Sequence, residues 1–162
     1  MHCAKKEKKL SDKEAYIKIS AWCAYQERSH FEVRNKLYEF KLTTDTINAL
    51  IIQLISENFL NEERFARAYV GGKFRIKKWG KNKIHMGLKA KQVTENCIKL
   101  AMQEISDEDY LKTLKELAGK ELLKLNKTDN EFIVKRKTAD YLIRKGYESS
   151  LIWDVLSEKT DF

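Results

Sequence analysis

Three apolar triplets frame this chain. Leu37–Leu42–Ile47, Leu88–Val93–Ile98 and Leu142–Tyr147–Ile152 share internal spacings of five and five residues, and the copies start 51 and 54 residues apart. Recurrence at that period marks one supersecondary unit stacked several times, each unit too small to bury its apolar face alone. Around each triplet the apolar residues fall at helical steps of three and four, and no stretch alternates as a strand would. The pattern predicts an all-α fold of three tandem three-helix, helix-turn-helix-like repeats in an elongated, curved array. The units expected are 12–60, 61–105 and 106–162, after a basic tail over 1–11.

In the first unit a helix over about Asp12–Glu27 is expected to bury Ile17, Ala21 and Ala24, with Trp22 beside them. Ser29 and Glu32 form an S-x-x-E capping box that opens a second helix to about Phe40. Thr43-Thr44-Asp45 caps a third helix, carrying Ile47, Leu50, Ile51 and Leu54 to about Asn58. The second unit opens at Asn61, a cap followed by Glu62 and Glu63 where the helix dipole favours acids. Its first helix, to about Lys77, carries Phe65, Tyr69, Gly72 and Ile76 on one face, and Trp79-Gly80 ends it. Helices over Lys81–Ala90 and from Thr94 to about Ile105 follow. In the third unit a long helix carries Leu111, Leu114, Leu117, Leu122 and Leu125. A second starts at Thr128 or Asn130 and ends at Gly146, a natural left-handed cap, and Ser149 or Ser150 caps the last.

Composition supports long helices with short connections, since 162 residues contain no proline, six glycines and 35% charged side chains. The run after Met1 is basic without an apolar stretch behind it, which is unlike a signal peptide. No segment reaches the roughly 20 apolar residues of a membrane span. Cys3, Cys23 and Cys97 cannot all pair, so reduced thiols and a cytoplasmic location are expected.

Charge changes the picture more. The net +8 is concentrated in residues 61–105, with 11 Lys or Arg against 4 Asp or Glu. Between Glu63 and Glu95 ten cations occur and no acid. A localised excess of this kind points to an anionic partner. Arg64, Arg67, Gly71, Arg75 and, if the helix continues, Lys78 step by three and four along one helical face. Lys81, His85 and Lys89 form a second row, with Lys77, Lys83 and Lys91 nearby. Three of the four cations on the first stripe are arginine, whose planar fork suits phosphate or carboxylate. Gly71-Gly72 within a helix costs about 1 kcal/mol per residue relative to alanine. Gly72 reads as a close-packing position, and Gly71 as a place where a partner approaches the backbone. Trp79 reads either as a core or hinge residue or as an exposed anchor between Lys78 and Lys81; Trp22 and Trp153 read as structural. His2, His30 and His85 lack metal-ligand spacing, and no phosphate-binding or nucleophile motif occurs, so no metal, cofactor or catalytic residue is expected.

The run Leu60-Asn61-Glu62-Glu63-Arg64-Phe65-Ala66-Arg67-Ala68-Tyr69-Val70, then Trp79-Gly80-Lys81-Asn82-Lys83-Ile84 and Leu88, resembles the central motif of the RecX regulatory family. Leu142-Ile143-Arg144-Lys145-Gly146-Tyr147 is similar to that family's last repeat, and the likeness extends over about residues 12–158. Three positions depart from the pattern. Asn61 replaces the first acid of a pair, the second is the longer Glu62, and Gln92 stands where a glycine is usual and would need a left-handed or altered turn. The resemblance implies a non-enzymatic modulator that lies in the groove of the RecA–single-stranded DNA filament; a monomer is expected because a repeat array of this kind needs no self-association for stability. It implies inhibition of the filament's ATPase, strand exchange and growth. The RecA- and DNA-binding residues expected on this basis and from the charge pattern are Arg64, Arg67, Arg75, Lys77, Lys78, Trp79, Lys81, Lys83, Lys89 and Lys91. Duplex DNA is expected to bind weakly at most. A direct DNA-binding helix-turn-helix protein is the alternative reading. The third helix of the middle unit argues against it, because Glu95 and Glu104 would face phosphate.

Overall fold

The computed structural model describes residues 9–125 and 130–158, so most of the basic tail and Thr128 lie outside the described residues. Nine helices occur among the described residues. The first unit holds α1 (Asp12–Tyr25), α2 (His30–Glu39) and α3 (Thr44–Ser56). The second holds α4 (Glu62–Arg75), α5 (Lys81–Ala90) and α6 (Glu95–Met102), and the third α7 (Asp107–Lys124), α8 (Glu131–Lys145) and α9 (Ser149–Glu158).

Local chemistry sets most of the starts. Ser11 and Ser29 make full capping boxes with Glu14 and Glu32. Thr43, Asn61, Ser106 and Asn130 each accept a hydrogen bond from a first-turn backbone N–H. Such a cap contributes about 1 kcal/mol. Thr94 precedes α6 but does not cap it with its side chain. Its N–H and hydroxyl both donate to Glu62, at 3.1 Å each, and so tie the start of α6 to the start of α4. The last helix begins at Ser149 itself, with the Glu148 carbonyl accepting from the Ile152 N–H.

All nine triplet residues are buried, none more than 7% exposed. Each fully buried Leu or Ile stabilises by about 1.5–3 kcal/mol. The residue before each middle member is left-handed: Lys41 (φ 59°), Gln92 (φ 57°) and Gly146 (φ 100°). The five-residue step is therefore one conserved-geometry turn written three times, and Gln92 adopts the conformation glycine would have taken.

Two cores result. One, from Ala15 to Leu60, closes the first unit. The other runs from Phe65 to Leu156 and joins the second and third units. Backbone meets backbone at that junction. The Gly80 N–H donates to the Lys145 carbonyl at 2.8 Å and the Asn82 N–H to the Gly146 carbonyl at 3.0 Å. A Cβ at Gly80 would lie 2.3 Å from Gly146, and one at Gly146 would lie 2.3 Å from the Lys83 Cβ. Two phenols seal the contact. Tyr147 donates to the Lys78 carbonyl, and Tyr110 donates to Glu148 while accepting from the Lys81 N–H. Burial raises both phenol pKa values, and Glu148 adds to the rise at Tyr110. Between the first and second units the bridging polar contacts run through side chains instead: Arg64 Nε to Glu27 at 2.5 Å, the Arg64 guanidinium to the Asn58 side chain and carbonyl, and Lys91 Nζ to Glu32 at 2.6 Å.

Several sequence expectations are corrected. In α1 the buried row is Ala15–Ile19–Cys23, while Ile17, Ala21 and Ala24 face solvent. Apolar residues occupy both faces of α1, so either row fits a helical period, and packing against α2 and α3 decides. In α7 the fully buried positions are Tyr110, Leu114 and Ala118; Leu111, Leu117 and Leu122 pack at the edge of the core. Helix α4 ends at Arg75, which leaves Ile76 77% exposed and Lys78 left-handed at φ 57°. The two mid-helix glycines exchange roles. Gly71 is buried beneath the Arg75 guanidinium, whereas a Cβ on Gly72 would touch nothing within 4 Å.

Candidate functional site

The cations of the second unit divide by whether a carboxylate of the chain already holds them. Arg64 reaches Glu27 as well as the Asn58 side chain and carbonyl. Arg67 bridges Glu63 at 2.9 Å and Glu104 at 2.6 Å, and the bonds to Glu104 and Glu63 raise its pKa further. Lys81 pairs with Asp107 at 3.1 Å, Lys89 with Glu95 at 2.9 Å and Lys91 with Glu32. Glu95 also meets His85 at 3.1 Å, and its pKa is lowered by the Lys89 and His85 hydrogen bonds. Glu32 sits against an opposing burial effect, which the Lys91 and Ser29 hydrogen bonds outweigh, so its pKa falls. Exposed pairs of this type contribute about 0–1 kcal/mol each. They rank these five cations below free ones for an incoming anion without removing them.

The remaining cations lie at the end of α4, in the turn after it and in the first turn of α5. Arg75, Lys77 and Lys78 are exposed at the end of α4 and just beyond it, and none meets a carboxylate among the described residues. Lys83, from the first turn of α5, places its ammonium 4.6 Å from the centroid of the Trp79 ring. Trp79 is half-buried and packs against the joint core of the second and third units. It is thus a packing residue, and it also orients lysines, since the indole attracts cations through its ring quadrupole.

Two further cations belong to this cluster and were not singled out in the sequence. Lys73 lies 4.8 Å from the Trp79 centroid and 5.2 Å from that of Tyr69. Its position four residues before Lys77, within one expected helix, was the available signal. Lys145 comes from the third unit and donates to the Lys77 carbonyl at 3.2 Å. Only the Gly80–Gly146 junction brings it here, and a chain separation of 68 residues hides that. Lys83 likewise donates to the Arg144 carbonyl at 3.3 Å. Tightening the α4–α5 turn against the third unit therefore brings Lys73 and Lys83 to the Trp79 ring and Lys145 to the Lys77 carbonyl, while the Arg75 guanidinium turns back over Gly71. No group of three or more metal-capable side chains occurs among the described residues.

Three tandem three-helix units carrying cations that meet no carboxylate among the described residues define a helical-repeat protein whose distinctive chemistry lies on its surface. Comparison with known proteins makes this specific. The family description "RecX, second three-helix domain" matches residues 61–102, and "RecX, third three-helix domain" matches 107–156. The regulatory protein RecX of Clostridium acetobutylicum is 34% identical over 130 residues, covering 78% of this chain and 60% of that protein. That of Clostridium botulinum (strain Eklund 17B / Type B) is 32% identical over 164 residues, covering 98% of this chain and 76% of that protein. The crystal structure of RecX from Lactobacillus salivarius shares the fold, with a TM-score of 0.82 at 23% identity over 91% of this chain and 95% of that one. The chain belongs to the RecX family of regulatory proteins.

Proposed function

We propose that the chain binds the RecA–single-stranded DNA filament and inhibits its ATPase, strand exchange and growth, acting as a cytoplasmic monomer without catalysis or cofactor of its own. The observation that carries this reading is the cation cluster around Trp79, held by the junction of two repeats and free of the chain's own carboxylates. Family membership supplies the kind of partner, because the relatives are named for regulation as RecX proteins. Arg75, Lys77, Lys78 and Lys83 supply the strongest anion contacts, and Arg64, Arg67, Lys81, Lys89 and Lys91 act only after exchanging a carboxylate partner. The test is RecA-dependent ATP hydrolysis on single-stranded DNA with this protein added in stoichiometric amount. A fall in rate is expected, and an unchanged rate would overturn the reading. In the double variant Arg75→Glu, Lys78→Glu the inhibition should vanish while helicity and melting temperature persist. Inhibition that survives would place the binding face elsewhere.

A further inference from the structure

We infer that the groove between the first and second units is a docking site for a protein segment of the filament, an aliphatic residue with an acid beside it, adjoining the cation cluster and sharing Lys73 and Lys77 with it. This rests on the regulatory reading above and names a second surface for it. The groove encloses about 530 Å³. Its floor is the outward face of α4, formed by Ala68, Tyr69 and Gly72, with Ile76 just past the helix end. Two features of that floor have no use within the chain. Ile76 leaves a large β-branched side chain 77% exposed at the groove's edge. Gly72 weakens α4 at mid-helix, by about 1 kcal/mol relative to alanine, although a Cβ there would touch nothing within 4 Å. A glycine that internal packing does not require leaves the helix backbone open to a close neighbour, and the groove is where that neighbour would lie.

The walls say what kind of neighbour. On the side of the first unit, Glu27 and Glu32 line the groove and are already neutralised by Arg64 and by Lys91, which lines the groove beside Glu32. On the other side stand Lys73 and Lys77, which meet no carboxylate among the described residues. The occupant therefore brings negative charge to one wall only. A nucleic-acid strand fits this poorly, because the floor between the walls is largely apolar, with Ala68, Gly72 and Ile76. A stacked base also needs an open aromatic face, and the Lys73 ammonium lies over the Tyr69 ring at 5.2 Å. An aliphatic side chain set on Gly72 and Ile76, with an adjacent Asp or Glu turned to Lys73 and Lys77, satisfies every wall.

The test uses the full chain with Gly72→Leu, which fills the groove without a clash at Cβ, and Ile76→Glu, which alters an exposed side chain. Three quantities are read: melting temperature, affinity for a fluorescent oligo-dT, and affinity for the assembled RecA–single-stranded DNA filament. The expected result is a melting temperature for Gly72→Leu at or above that of the parent chain and oligo-dT affinity within about twofold for both variants. Filament affinity should fall by about tenfold, as for loss of one anchoring contact. Unchanged filament affinity in both variants would overturn the inference while leaving the regulatory reading intact. A parallel loss of oligo-dT affinity would make the groove a nucleic-acid site and overturn it too. If the parent chain itself fails to bind the filament, the regulatory reading falls, and this one with it.

Discussion

His30 illustrates how a single side chain sets a pH dependence here. It stands at the first position of α2, with a buried Nε2 that pairs with no other group among the described residues. Burial lowers its pKa below the ordinary 6.5, against an opposing pull from Glu62 and with a smaller lowering effect from Arg34. The unfolded chain therefore takes up a proton at a pH where the folded chain still refuses it. Stability is fully present above about pH 6.5 and erodes as pH falls below it. Urea unfolding at pH 7.5 and 5.5 should show this loss, and His30→Gln should flatten it. A second residue-level expectation separates free cations from paired ones. Lys77→Ala should reduce the salt slope of single-stranded DNA binding by about 0.7, the value for one phosphate contact. Lys89→Ala, whose ammonium already serves Glu95, should leave the slope unchanged. Equal slopes for the two variants would show that internal pairing does not rank these lysines.

At the scale of elements, the three left-handed turns carry the clearest energetic consequence. A residue other than glycine in that conformation costs about 1–2 kcal/mol. Gln92→Gly should therefore stabilise the fold by up to about 1 kcal/mol, after the added freedom of the unfolded chain is counted. Gly146→Ala should destabilise by about 2 kcal/mol or more, since its Cβ would also strike Lys83. Denaturant midpoints check both signs. These turns were legible in the sequence, because Leu–x4–Val and Leu–x4–Tyr keep their spacing whatever residue fills the turn. So were the caps at Ser29, Thr43 and Asn61, where short side chains bond locally. Faces were less legible. Ile17 and Ile19 both suit a helix, and the partner helices alone select Ile19. The Gly71-Gly72 pair was visible as a weakness in α4, but which glycine lay beneath Arg75 depended on a side-chain path that no periodicity records.

For the whole molecule, two cores of unequal reach imply unequal mobility. The first unit is held to the second by Arg64–Glu27 and Lys91–Glu32, whereas the second and third share one apolar interior. Glu27→Gln with Glu32→Gln should raise amide hydrogen exchange where α1–α3 meet α4, while the Gly80–Gly146 region keeps its protection. Faster exchange at Gly80–Gly146 instead would show that the two junctions are coupled. The candidate site was half legible for a related reason. A run of ten cations is a sequence property, but pairing with Glu27, Glu32, Glu104 and Asp107 comes from other units and other helices, as does the arrival of Lys145. The repeat offsets explain the contrast between junctions. Ser29 stands 51 residues before Gly80, and Gln92 stands 54 before Gly146. Where both places are glycine, main chains touch and the joint is locked. Where they are serine and glutamine, the joint closes through flexible side chains and can yield in torsion. A molecule built this way would follow a twisting support by turning at one end while gripping rigidly with the other.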